Sequence, residues 1–369
     1  MHFIDLAVQQ QRIRTQIEQN IAKVLDHGQY VMGPEISELE KKLADFIGVD
    51  FAVAVASGTD ALVMPLMALG IKPGDAVFTT TFTFIATAEA VQLLGATPVL
   101  VDIDPESFNI DPEKLAAAIT RTREGKKLTP RGIIPVDLFG QPADYDKINA
   151  IARANNLFVL EDAAQSFGAS QRGTKAGALA SLAATSFFPA KPLGCYGDGG
   201  MIFCCDSGFH EQLLSIRIHG QGVDKYTNVR LGLNGRMDTL QAAILLAKFE
   251  LFAEEIRLRQ QVAERYHHLL EDTVTVPRVR NGNVSSWAQY SVLHPRRDEM
   301  IGRLKSRNIP YAIYYPIPLH RQKVFSHLGY RSGDFPVAER IAGQIFSLPM
   351  HPYLEAGQQE MVCSAIKSG

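Results

Sequence analysis

One lysine, Lys191, stands between two prolines in the apolar, glycine-rich run TSFFPAKPLGCYGDGGMIF, residues 185–203. Pro189 and Pro192 oppose a helix on either side, and the glycines let a ligand approach the backbone, so an amphipathic surface helix is excluded. A lysine kept from water in this way loses basicity and serves as an amine nucleophile. Gly194, Gly197, Gly199 and Gly200 miss the spacing of a dinucleotide fingerprint. In LEDAAQSFGA, residues 160–169, Asp162 leaves an apolar strand-like run. A carboxylate there can hold a ring nitrogen protonated, cap the next turn or bind a metal. Gln165 is within reach of a hydroxyl on the same ring.

ASGTDAL, residues 56–62, is a strand end passing through small residues into a helix. Its free N–H groups, with the Ser57 and Thr59 hydroxyls, make either a phosphate site or an ordinary capped turn. Phe82 follows another strand end in TTTFTFIATAEA and reads equally as a ring that stacks on a ligand or as a core aromatic. Asn234 and Arg236, in GLNGRMDTLQAA, precede a long helix; Arg236 forms either a surface ion pair or a clamp on a carboxylate or phosphate. His219, His320 and His351 lack metal-ligand spacing and read as structural.

These residues require a frame. Short apolar runs at residues 51–55, 76–78, 98–101, 132–136 and 157–160 alternate with helix-like stretches, the pattern of a mainly parallel sheet covered on both faces. Ligands of such sheets bind beyond the carboxyl ends of the strands, where the three motifs fall. Two more runs, 182–188 and 201–205, flank the lysine segment. Ahead of the sheet, Ile13, Ile17, Ile21 and Val24 predict one helix ending at Gly28, and Pro34 opens a second that ends at Gly48. A long helix is expected from Asp238 to about Leu270. Strands at 287–293 and 311–315, with a helix at 298–307, then make a smaller α/β unit. The boundary is placed near residue 248, giving domains 1–248 and 249–369.

With 369 residues, 46% of them hydrophobic, the chain can bury a large core. Its 37 basic and 39 acidic residues give a formal net charge of -2 with no block of like charge, which argues against nucleic acid as a partner. Cys195, Cys204, Cys205 and Cys363 lack zinc spacing and suit a reducing, cytoplasmic location. No stretch reads as an export signal or membrane span.

Taken in order, ASGTDAL, TFTFIATAEA, EDAAQSFGA, SFFPAKPLGCYGDGG and LNGRMDTLQAA resemble the nucleotide-sugar aminotransferases of the DegT/DnrJ/EryC1/StrS family. The likeness extends to FIDL, HGQYVMGPE, PYAIYYPIPLH and SLPMHPYL, and so covers nearly the whole chain. It implies the fold-type I architecture of enzymes dependent on pyridoxal 5'-phosphate, with a large mixed-sheet domain and a smaller C-terminal α/β domain. It also implies a homodimer with shared active sites, L-glutamate as amino donor and a nucleotide-linked keto sugar as acceptor. By the same resemblance Lys191 is the catalytic Schiff-base lysine, Asp162 the partner of the pyridine nitrogen, Gln165 the ring-hydroxyl contact and Phe82 the stacked ring. Gly58, Thr59 and Ser186 match phosphate contacts, and Asn234 matches one that reaches in from the other subunit.

The branch most resembled aminates the 3-keto carbon of UDP-2-acetamido-2-deoxy-glucuronic acid in bacterial O-antigen synthesis. There an arginine at the position of Arg236 pairs with the sugar carboxylate. Relatives often carry a histidine where Tyr314 precedes Tyr315 and Pro316, which alters the expected substrate contact. A dTDP-linked 3-keto or 4-keto deoxyhexose is the alternative acceptor. A non-catalytic sensor or scaffold is the alternative class, and a colourless purified protein would favour it.

Overall fold

The structure, a computed structural model, describes residues 1–224 and 226–367. Nine strands occupy the first part of the chain: β1 (Phe51–Val55), β2 (Asp75–Thr80), β3 (Thr97–Val101), β4 (Thr129–Ile134), β5 (Phe158–Asp162), β6 (Ser170–Gln171), β7 (Thr174–Lys175), β8 (Leu182–Ser186) and β9 (Gly200–Cys204). Seven of them form one sheet in the order β1-β9-β8-β5-β4-β2-β3. Pairings among β3, β2, β4, β5 and β8 are parallel, whereas β9 runs antiparallel to both β8 and β1. The α/β class with a mainly parallel, mixed sheet is therefore present.

Alternation along each strand divides the core. In β1, Val53 and Val55 join one cluster while Ala52 and Ala54 join another, and in β9 Ile202 and Met201 divide the same way. Helix α1 (Leu6–His27) packs through Ile13 and Ile17 against Ile244 and Ala247, whereas α2 (Pro34–Ile47), α3 (Gly58–Ala68), α4 (Ala86–Leu93), α5 (Pro112–Gly125), α6 (Tyr145–Asn155) and α7 (Ser207–Arg217) cover these faces. Leu62 of α3, Val91 of α4 and Leu213 of α7 lie on the Val53 side, and Ile36 and Leu39 of α2 on the Ala52 side. Each such side chain, once buried, contributes about 1.5–3 kcal/mol.

Helix α8 (Thr239–Leu270) runs without a break through residue 248. Its first half, with Leu245 and Leu246, packs against the large sheet; its second half, with Val262 and Tyr266, packs with β11 (Tyr290–Leu293), α9 (Arg297–Ser306), β12 (Ile345–Leu348) and α11 (Ala356–Lys367). The first strand after α8, β10 (Asn283–Val284), pairs with β6, and α10 (Pro336–Gln344) precedes β12. The expected strand at 311–315 is corrected: only a single bridge, Ala312 to Ser347, forms there. Pro316 and Pro318 supply no N–H to a ladder, and Tyr314 and Tyr315 turn into the wall of a cavity instead. The strand that pairs β11 is β12, in a short run without a clear alternation.

Candidate active site

A cavity of about 890 Å³ opens at the carboxyl ends of the parallel strands. Lys191, Asp162, Gln165, Ser186, Gly58 and Thr59 all line it. The loop from β8 to β9 presents Lys191, tied down where its N–H donates to the Phe188 carbonyl at 2.9 Å. Burial takes water from the ammonium and lowers the Lys191 pKa, while the Asp162 carboxylate opposes the shift. The neutral amine, which is the nucleophile, is thus available at lower pH than in a free lysine.

Asp162 ends β5 and is 4% exposed. Burial pushes its carboxyl up, against the hydrogen bonds that it accepts from the Thr87 hydroxyl at 2.7 Å and the Ala164 N–H at 3.2 Å. A buried carboxyl that faces a cavity without a paired cation is suited to a ligand bearing an N–H group. Gln165 is oriented by its surroundings: the Phe139 N–H donates to its Oε1 at 2.7 Å, so its Nε2 faces Tyr315, whose hydroxyl accepts at 3.3 Å. Gln165 therefore offers a donor, the complement of an anionic ring oxygen.

The phosphate end begins at α3. Ser57 caps the helix, its Oγ accepting from the Asp60 N–H at 3.0 Å, which leaves the Gly58 and Thr59 N–H groups of the first turn free to point at an anion. This cradle is narrow. A Cβ on Gly58 would stand 2.7 Å from the Ser186 Cβ, and one on Gly200 only 2.4 Å from the Ser57 carbonyl oxygen. Gly200→Ala is accordingly expected to displace the Ser57 turn, at a cost of about 1–3 kcal/mol, read as a lower melting temperature and weaker binding of a phosphorylated cofactor than of its dephosphorylated form.

Phe82 requires a correction. It is fully buried among Leu100, Ile103, Val136 and Leu319 and does not line the cavity; Phe84, 56% exposed, does, with its ring 6.4 Å from that of Tyr315. Two phenylalanines two residues apart beyond a strand end are indistinguishable by type, and only the packing under β3 decides which turns inward. Sequence reasoning also missed Thr87, which holds Asp162, and Phe188 and Gln289 on the cavity wall. Tyr314 and Tyr315 line it as well. Asn234 and Arg236 do not line this chain's own cavity: Asn234 is exposed and Arg236 half-buried. His320 is buried between the Thr81 hydroxyl and the Glu339 carboxylate, and His351 is buried with its pKa pushed down to about 4, chiefly by desolvation. Among the described residues, no helix is long and apolar enough to cross a membrane.

The cavity fits pyridoxal phosphate at three points: an amine for its carbonyl, a carboxyl for its ring N–H, and a cradle of free N–H groups for its phosphate. Comparison with known proteins decides the family. The model of the DegT/DnrJ/EryC1/StrS aminotransferase family matches residues 11–367. The chain belongs to that family. It is 49% identical, over 99% of both chains, to the UDP-2-acetamido-2-deoxy-3-oxo-D-glucuronate aminotransferase of Pseudomonas aeruginosa. A DegT DnrJ EryC1 StrS aminotransferase from Brucella abortus superposes with a TM-score of 0.98 at 48% identity, covering 100% of this chain and 98% of that one. NtdA from Bacillus subtilis, solved with bound cofactor PMP, gives 0.89 at 29% identity, covering 99% and 82%. The fold is that of a fold-type I aminotransferase, and pyridoxal 5'-phosphate is the cofactor.

The sign of the pH dependence follows from Lys191. Covalent capture needs the neutral amine, so stopped-flow absorbance should show capture accelerating as pH rises, with a midpoint below the ordinary lysine value of 10.5. In the cofactor-free protein the same lowered pKa makes stability rise with pH up to 10.5, while the raised pKa of Asp162 makes it fall as pH climbs above 3.8.

Proposed function

We propose that this protein transfers the amino group of L-glutamate to a 3-keto nucleotide sugar, with UDP-2-acetamido-2-deoxy-3-oxo-glucuronic acid as acceptor, for bacterial O-antigen or related polysaccharide synthesis. The observation that carries the reading is the convergence of Lys191, Asp162, Gln165 and the Gly58–Thr59 turn on one cavity. The 49% identity to the Pseudomonas enzyme supports the choice of sugar.

Bound pyridoxal phosphate supplies the carbonyl that takes the amino group and a ring that withdraws electrons from the substrate carbon. Lys191 Nζ anchors it, then takes and returns the proton at that carbon in each half-reaction. Asp162 keeps the ring N–H protonated through its buried carboxylate. Gln165 Nε2 donates toward the ring hydroxyl, Phe84 covers one face, and Gly58, Thr59 and Ser186 hold the phosphate. Such a scheme is ping-pong, and parallel double-reciprocal lines are expected.

The partner subunit completes the site in this reading. Lys191 is the only cation among the described residues lining the cavity, so a uronate carboxylate needs another. Arg236 forms no ion pair among the described residues and lies off its own cavity, as a residue serving a second subunit would. Tyr226, Val229 and Leu231, all exposed on the segment before Asn234, make an apolar edge suited to a homodimer contact. The four free cysteines fit a reducing cytoplasm. Arg236→Ala should lower kcat/KM for the uronate acceptor by about 10²–10³-fold, the worth of a buried charge-assisted pair, and spare a neutral dTDP-linked keto sugar. Equal losses on both acceptors would favour the dTDP-sugar reading.

A further inference from the structure

One wall of the cavity supplies none of the cofactor contacts assigned above. It comes from the C-terminal part of the chain, where Tyr314, Tyr315, Pro316, Ile317, Leu319 and Gln322 line the space and Pro316 and Ile317 are exposed at its rim. The facing wall, Thr83 to Thr87, follows β2. A buried relay of three side chains joins these distant segments. Thr81, just beyond β2, is tied to the sheet where its N–H donates to the Val101 carbonyl at 2.9 Å. Its own carbonyl accepts from the Leu319 N–H at 2.7 Å. Its Oγ1 accepts from the His320 N–H at 3.3 Å and stands 2.8 Å from His320 Nδ1. On the far side of the ring, His320 Nε2 lies 3.0 Å from Glu339 Oε1 on α10. Thr81 is 0% exposed, and so is the His320 side chain.

We propose that His320 is a positioning residue for the acceptor sugar: held in one tautomer between Thr81 and Glu339, it locks the 314–322 wall against the 83–87 wall and so fixes the space left above the cofactor. The proposal rests on the reading of this cavity as the place where a keto nucleotide sugar is aminated.

Hydrogen-bond chemistry selects the tautomer. A buried hydroxyl needs an acceptor for its hydrogen, and His320 Nδ1 is within reach of the Thr81 O–H. Nδ1 therefore keeps its lone pair, and the ring N–H sits on Nε2, aimed at a carboxylate that only accepts. Glu339 is itself held in place, its Oε1 also accepting from the Gly333 N–H at 2.7 Å and its Oε2 from the Ser332 hydroxyl at 3.2 Å. A second ring proton would face the Thr81 oxygen and leave the Thr81 hydrogen without an acceptor. Burial lowers the His320 pKa in the same sense, against the pull of Glu339. Packing fixes the ring plane: the Phe335 ring lies 4.6 Å away, and Leu319 is buried with Phe82, Ile103 and Phe335. Upstream, Pro316 and Pro318 have no N–H to donate, and the nearest ladder contact is the Ala312–Ser347 bridge. The Thr81–His320 contacts are thus what anchors the rim beside Ile317. A substrate the size of glutamate is met near the floor of the cavity, whereas a nucleotide sugar extends to the rim, so loosening this anchor falls mainly on the acceptor.

The test is kinetic and uses the cofactor-loaded full chain. Thr81→Val keeps the side-chain shape but removes the hydroxyl, leaving the His320 N–H and Nδ1 without their partner. KM for UDP-2-acetamido-2-deoxy-3-oxo-glucuronic acid should then rise about tenfold relative to KM for glutamate. Thr81→Ser retains the hydroxyl and should bring that ratio back to within about threefold of the wild type. A role confined to folding would lower the melting temperature of both variants and leave the ratio unmoved, which overturns the proposal; so does a Thr81→Ser protein that matches Thr81→Val. Glu339→Ala, at a half-buried position on α10, should move the ratio in the same direction and serves in place of Thr81→Val if that chain fails to fold. An unmoved ratio in Glu339→Ala counts equally against the clamp. Nitrogen-15 labelling of the histidines gives an independent readout: the His320 ring, assigned by its absence from His320→Gln, should carry its proton on Nε2 alone. A proton on Nδ1 overturns the tautomer and the clamp with it. A wild-type chain that reacts with glutamate yet aminates no keto nucleotide sugar sinks the acceptor reading itself, whereas an unmoved ratio in a chain that does turn over sinks the clamp alone.

Discussion

Lys191→Ala is expected to lower the transamination rate by about 10⁴-fold or more, the upper range for loss of a positioned acid–base group. The side chain has two duties, anchoring the cofactor and moving the proton at the substrate carbon, and among the described residues no other amine lines the cavity to assume either. Among the described residues of the cavity wall it is the only cation. Lys248 of α8, buried and with its pKa pushed down to about 8 mainly by burial, shares a small separate cavity with Lys191 but does not line this one. Borohydride reduction followed by peptide mass mapping separates the duties: a pyridoxyl group should be found on Lys191 in the wild type and on no peptide of the variant. Added methylamine should restore part of the proton transfer, since it replaces the base. Covalent label elsewhere, or an active Lys191→Ala protein, would refute the assignment.

Asp162→Asn should cost about 10²–10³-fold in kcat, the scale of one preorganised electrostatic contact. The change is nearly isosteric: the amide oxygen keeps the Ala164 N–H, and the Thr87 hydroxyl can turn to accept from the amide nitrogen, so the fold should persist. The charge alone is lost. Because the Asp162 carboxylate opposes the lowering of the Lys191 pKa, the variant should also capture cofactor with its midpoint moved to still lower pH. A kcat loss without that displacement would place Asp162 outside the electrostatic reach of Lys191.

Much of the site was legible because its residues sit where chain direction changes. The proline-flanked lysine, the aspartate ending a buried strand and the small-residue turn into a helix each break a local pattern, and the structure brings all three to one cavity. What escaped depends on packing between distant segments. Phe82 and Phe84 share a residue type and a neighbourhood; the burial of one was decided by Leu100 and Leu319, far away in the chain. Thr87 gains meaning only once α4 sets its hydroxyl against Asp162. The strands of the large sheet were recoverable to within a few residues from their short apolar runs between helix-like stretches. The strand expected at 311–315 failed for a physical reason: apolar and aromatic residues there serve the cavity wall rather than a ladder.

The reversed direction of β9 has a further consequence. Since β8 and β9 are antiparallel neighbours, the segment between Ser186 and Gly200 leaves and re-enters the sheet at the same rim. The nucleophile therefore rides on a hairpin tip rather than on a helical crossover. Its length is not fixed by the need to span the sheet, so insertion or exchange within this tip can retune the reach and access of the amine while the scaffold keeps its register. For an engineer seeking a new acceptor, this is the segment to randomise.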